Sequence, residues 1–145
     1  MDITNHERDP GADPRTEFLV KLQQMAKGTF WDLLGAKLES VEEEKVTVSL
    51  QVEDCHLNTI GILHGGVHAS LLDNTMGIAA MLARPGEKMV TTNLTMHYLA
   101  PLRKGIVYST GRIVHQSRSI ITTQGEICDE SGSLGAWCSA SYRIT

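Results

Sequence analysis

The chain has 145 residues, 41% of them hydrophobic, and a net charge of −4. That length suits one domain with a real core, and the 21% of charged residues argues against wholesale disorder. The acidic balance excludes a nucleic-acid binder as the first reading, because phosphate backbones want a basic surplus.

Residues 1–15 are polar, carry Pro10 and Pro14, and read as a flexible N-terminal segment; residues 16–145 read as a single domain. No apolar signal region opens the chain, and no run approaches the roughly 20 residues of a membrane helix, so a soluble cytoplasmic protein without a membrane partner is expected. Cys55, Cys128 and Cys138 show no CxxC spacing and read as reduced thiols, neither a disulfide framework nor a zinc site. In TEFLVKLQQMA, Phe18, Leu22 and Met25 recur at helical spacing; Thr16 can cap this helix and Gly28 can stop it.

The period then changes. LGAKLES and KVTVSLQV read as two strands around a charged turn, the second alternating Val46, Val48, Leu50 and Val52. Residues 65–82 form the longest helical stretch, with Val67, Leu71, Ile78 and Leu82 on one face and Ala69, Leu72, Met76 and Ala80 on another. Gly77 costs about 1 kcal/mol against Ala in mid-helix, which predicts close packing on a sheet. Pro85 and Gly86 end the helix. Four strand-like segments follow, VTTNLTMHYLAP, GIVYSTGRIVHQ, RSIITTQGEICDE and SLGAWCSASYRIT. Six strands and one thickly apolar helix predict an α+β fold, an antiparallel sheet curled around that helix. The sheet's other face still needs cover, which suggests an oligomer.

The chemistry concentrates in HLNTIGILHGGVHASLLD, residues 56–73. Gly65-Gly66 at a helix start expose backbone N–H groups within the positive end of the helix dipole, suited to a carbonyl oxygen that gains negative charge; an ordinary tight turn has the same sequence. Asp73 follows eight residues later, about 12 Å along the axis, among apolar neighbours. It reads equally as a bonded structural residue or a working carboxylate. If both act on one substrate, they must come from two copies of the chain, related by a two-fold axis. Asn58 can orient water or a carbonyl, and His64 reads as a residue that fixes the loop. His64 and His68, four apart, lack the HExxH pattern and a clear third ligand, so no metal is assigned.

The composite of His56, Asn58, Gly61, His64, Gly65, Gly66, Leu71 and Asp73 resembles the hotdog-fold acyl-CoA thioesterases, in the subgroup related to the phenylacetate-degradation thioesterase. TTNLTMHYLAPLRKG and GEICDESGSLGAWCSASYRI resemble that subgroup as well. The resemblance implies a hotdog fold, dimers pairing into tetramers with sites at the dimer interface, and hydrolysis of an acyl-CoA thioester without a cofactor. By position, Asp73 resembles the catalytic carboxylate and the Gly65 amide the carbonyl-polarising donor. Asn58 and His64 complete the catalytic set, while Gly66 and the Thr91 hydroxyl fall on the substrate side; Thr92 offers a competing hydroxyl one residue on. Because CoA carries phosphates, Arg84, Arg103, Lys104 and Arg118, all in expected turns or loops, are candidate contacts. Asp73 can activate water or attack directly. A non-catalytic acyl-CoA sensor and a hotdog hydratase or dehydratase remain the alternatives.

Overall fold

The computed structural model describes Gly11 and residues 13–145. The chain divides into two compact units, Met1–Leu33 and Leu34–Thr145. Most of the segment expected to be flexible, residues 1–10 and 12, lies outside the described residues.

In the first unit, helix α1 spans Pro14–Ala26 and begins two residues before the expected Thr16. Asp13 caps it, its side chain accepting from the Arg15 N–H at 3.2 Å, and Pro14 takes the first turn, where no amide partner is lost. Gly28, with φ 73°, follows the helix as expected. A short helix, α2, then covers Phe30–Leu34. The sequence pattern ends the first helix at Gly28 and assigns no element to FWDLL, which is too short to show a period.

The second unit carries strands β1 (Lys37–Val41) and β2 (Val46–Val52), helix α3 (Gly65–Ala83), then β3 (Met89–Tyr98), β4 (Gly105–Gln116), β5 (Ile120–Asp129) and β6 (Leu134–Ile144). All pair antiparallel in one six-stranded sheet of order β1-β2-β4-β5-β6-β3. Strand alternation places Val46, Val48, Leu50, Val107, Ile121, Ile127, Ala136 and Ala140 in the core. Against them α3 buries Leu71, Leu72, Thr75, Met76, Ile78, Ala79 and Ala80. The sheet curls around α3, as the sequence pattern expects.

Two glycines allow the helix to come this close. A Cβ on Gly111 would stand 3.0 Å from the Met76 backbone nitrogen, and one on Gly125 would stand 3.0 Å from Leu72 Cδ2 and 3.2 Å from Met76 Cγ. Gly77 differs from the expectation. A Cβ there would meet the Tyr142 ring at 3.7 Å, ordinary contact, so packing within this chain does not require that glycine. Thr75, buried on α3, donates to Leu71 O at 2.6 Å and is placed 2.8 Å from Ser109 Oγ of β4.

β3 forms one edge of the sheet and pairs only with β6. Its register slips between Thr91 and Asn93: Thr91 stands opposite Tyr142, and Asn93 opposite Ser141. Thr92 is the extra residue of this bulge. Among the described residues no helix is long and apolar enough to cross a membrane.

Candidate active site

The loop before α3 is built by its own backbone and two imidazoles. His56 is buried; its Nδ1 accepts from the Glu53 N–H at 2.9 Å, so Nε2 carries the proton and donates to Leu34 O at 2.8 Å. The His64 N–H donates to His56 O at 2.9 Å, and the Leu63 N–H to Leu102 O at 2.8 Å, which fixes the loop against the turn after β3. Asn58 closes the loop from inside: its Oδ1 accepts from Ile60 N–H at 3.1 Å and Ile62 N–H at 3.2 Å. Only its Nδ2 donors remain for a ligand.

His64 is the N-cap of α3, and its Nδ1 accepts from the Gly66 N–H at 2.8 Å. A Cβ on Gly66 would sit 3.0 Å from that Nδ1, so Gly66 is small because His64 folds back over it. The Gly66 N–H is therefore engaged within the chain, whereas the Gly65 N–H meets no acceptor among the described residues. Gly65 borders a cleft of about 450 Å³ lined by Asn58, Ile62, Leu63, His68, Tyr98 and Leu99–Pro101. The Tyr98 hydroxyl donates to Gly65 O at 2.7 Å, and its ring meets His68 edge-on with centroids 5.5 Å apart. Burial pushes the His68 imidazole down to about 4, so it stays neutral at physiological pH, and its Nδ1 finds no partner.

Asp73 lies two turns further along the same helix. Its Oδ1 accepts from the Thr91 hydroxyl at 2.9 Å and from the Tyr142 hydroxyl at 3.0 Å; the latter also reaches Asp73 O at 2.9 Å. Oδ2 has no partner among the described residues. Of the two neighbouring threonines, the bulge aims Thr91 at Asp73, while Thr92 donates to Ser141 O at 3.1 Å. Since α3 is continuous from Gly65 to Ala83, Gly65 and Asp73 are held about 12 Å apart in one chain.

The four candidate cations fall into two groups. Arg103 and Lys104 sit on the turn after β3, where Lys104 forms an ion pair with Asp54. Arg84 caps the far end of α3; its guanidinium bonds Ser117 O and Arg118 O and pairs with Glu87 at 3.2 Å. The Arg103 and Arg118 side chains make no hydrogen bond or ion pair among the described residues.

Motif reading missed Tyr142, His68 and Tyr98 as neighbours of these groups. Tyr142 and Tyr98 do fall on the inward face of their alternating strands, but the strand order and register that bring them to α3 are not written in any local spacing.

The sequence model of the thioesterase superfamily matches residues 60–136. The chain is 30% identical to the 1,4-dihydroxy-2-naphthoyl-CoA hydrolase of Listeria monocytogenes over 71% of its length and 85% of that protein. It is 28% identical to human acyl-coenzyme A thioesterase 13 over 65% of its length and 68% of that protein. Its fold is similar to a solved mutant structure of the phenylacetic acid degradation protein PaaI from Thermus thermophilus. The TM-score is 0.73 and the identity 27%, covering 80% of this chain and 98% of that one.

Proposed function

The chain belongs to the thioesterase superfamily, and on that premise we propose that it hydrolyses an acyl-CoA or aryl-CoA thioester to free acid and CoA. One observation carries the reading: a free Gly65 N–H and a carboxylate with one open oxygen sit on the same helix, too far apart to share a substrate within one chain. Two copies with α3 helices side by side and antiparallel bring the Gly65 of one to the Asp73 of the other, giving two equivalent sites per dimer. Pairing of such dimers into a tetramer is part of the same proposal.

In that arrangement the thioester carbonyl lies at Gly65, where the N–H and the helix dipole stabilise the charge that develops on oxygen. Asn58 supplies its Nδ2 donors at the cleft wall, while His64 and Gly66 act by fixing the helix start. Asp73 Oδ2 takes a proton from water; the resulting hydroxide adds to the carbonyl carbon, and the tetrahedral intermediate expels CoA thiolate, which is then protonated. Direct attack by Oδ2, with a mixed anhydride that water cleaves, satisfies the same geometry. In a single turnover in ¹⁸O-labelled water, label in Asp73 marks an anhydride opened at the Asp73 carbonyl, and trapping of the anhydride by hydroxylamine tests for one opened at the acyl carbonyl. Arg103 and Arg118, having no partner among the described residues, are the better CoA-phosphate contacts, and Arg84 and Lys104 the poorer.

The test is thiol release from aryl-, short- and long-chain acyl-CoAs, run beside hydration of an enoyl-CoA. Thiol release supports the reading. Hydration without thiol release favours a hydratase, and acyl-CoA binding without turnover favours a sensor.

A further inference from the structure

Tyr142 lies in the last of the stretches that resemble the subgroup, but no role is assigned to it there and it has none in the reaction above. It lies near the end of β6, is 3% exposed, and its hydroxyl is shared between the backbone carbonyl and the Oδ1 of Asp73. A plain packing role needs only the ring, and a strand-to-helix tether needs only the backbone bond. The second bond joins the carboxylate to its own backbone and so opposes rotation of the side chain. Thr91, directly across the strand pair, donates to the same oxygen. Both donors therefore sit on Oδ1, and Oδ2 is left open.

We propose that Tyr142 is a positioning residue that locks the Asp73 carboxylate so that Oδ2 alone faces the reacting centre, an inference that rests on Asp73 being the catalytic carboxylate. The groups facing Asp73 suit this. From β6 come Tyr142 and the Cys138 thiol, and from β3 the Thr91 hydroxyl. Burial, with the Asp73 charge adding to it, raises Tyr142 far above the ordinary phenol range and pushes Cys138 up to about 11. Both stay protonated through the range in which an esterase is assayed, so Tyr142 remains a donor.

Tyr142→Phe keeps the ring against Gly77 and removes only the hydroxyl. The expected result is a fall in kcat of about ten- to a hundred-fold, the scale of one hydrogen bond to a charged group, with KM changed by less than roughly two-fold. A merely structural tyrosine would lower the melting temperature and leave kcat at the assay temperature unchanged. An unchanged kcat in the folded Phe chain would overturn the proposal. Thr91→Val tests it independently of whether the Phe chain folds. With Tyr142 still holding Oδ1, kcat in Thr91→Val stays well above that of Asp73→Asn; a kcat as low as that of Asp73→Asn counts against Tyr142. If Asp73→Asn itself retains full activity, the catalytic reading fails first. If Asp73→Asn is inactive while Tyr142→Phe matches the parent, only the present inference falls.

Discussion

The Gly65 end of α3 and the Asp73 segment two turns later are held in place by different means. At Gly65 the functional group is a backbone N–H, and its direction follows from where the helix starts, which His64 and the Asn58 loop determine locally. At Asp73 it is a side chain steered by hydroxyls from β3 and β6, residues 18 and 69 positions away. Local chain geometry fixes the donor, whereas the whole sheet fixes the carboxylate. Damage to the first should therefore act through the missing N–H, and damage to the second through any of several residues.

The largest expected effect is at the carboxylate. Asp73→Asn keeps the shape and the bonds to Thr91 and Tyr142 but removes the base or nucleophile, and thioester hydrolysis should fall by about 10²–10⁴-fold with the fold intact by circular dichroism. Full activity would refute the role of Asp73. Next comes Gly65→Pro. Proline is favoured at the first helical position, and His64, with φ −62° and ψ 136°, already has the extended backbone that a following proline requires. The change removes the N–H and moves only the exposed Tyr98 ring, which a Cβ would approach at 3.2 Å. A loss of about 10²–10³-fold in kcat is expected; parent-like kcat would show that the amide does not polarise the carbonyl.

Mixing the two inactive chains sharpens the comparison further. If each site draws Gly65 from one copy and Asp73 from the other, co-refolded Asp73→Asn and Gly65→Pro chains regain about one quarter of the parental activity, since half the dimers are hybrids and each hybrid has one intact site. A mixture that stays inactive, with hybrids confirmed by mass spectrometry, would place both groups outside a shared site. The smallest effect concerns stability at the Gly65 end. The folded chain holds His68 near 4, against 6.5 in the unfolded chain, so as pH falls the unfolded state takes up the proton first. The stabilisation is complete above pH 6.5 and is lost progressively down to about 4. Denaturant titrations should show this contribution, at most about 3 kcal/mol, disappear in His68→Leu; an unaltered slope would mean that His68 titrates normally.

The same contrast explains what could be read before any coordinates. The strands, the central helix and the residues of the HGG loop were legible because alternation, helical spacing and glycine chemistry are local. The partners of Asp73 were not. A threonine was expected near it, yet VTTN offers two neighbouring hydroxyls, and only the pairing of β3 with β6 chooses between them. Tyr142 was hidden for the same reason. Gly77 was expected to be packed tightly, whereas Gly111 and Gly125, which carried no signal within their strands, are the positions where α3 presses on the sheet.

The bulge in β3 lets the strand lose one residue without changing its register. Straightening the strand by deleting either Thr91 or Thr92 leaves the same shortened sequence, VTNLTMHY. In a regular ladder the surviving threonine again stands opposite Tyr142, with Asn93 still opposite Ser141 and Val90 still opposite Arg143. The paired threonines thus buffer the strand register: loss of one of them keeps a threonine opposite Tyr142 and every flanking residue on its original side of the sheet.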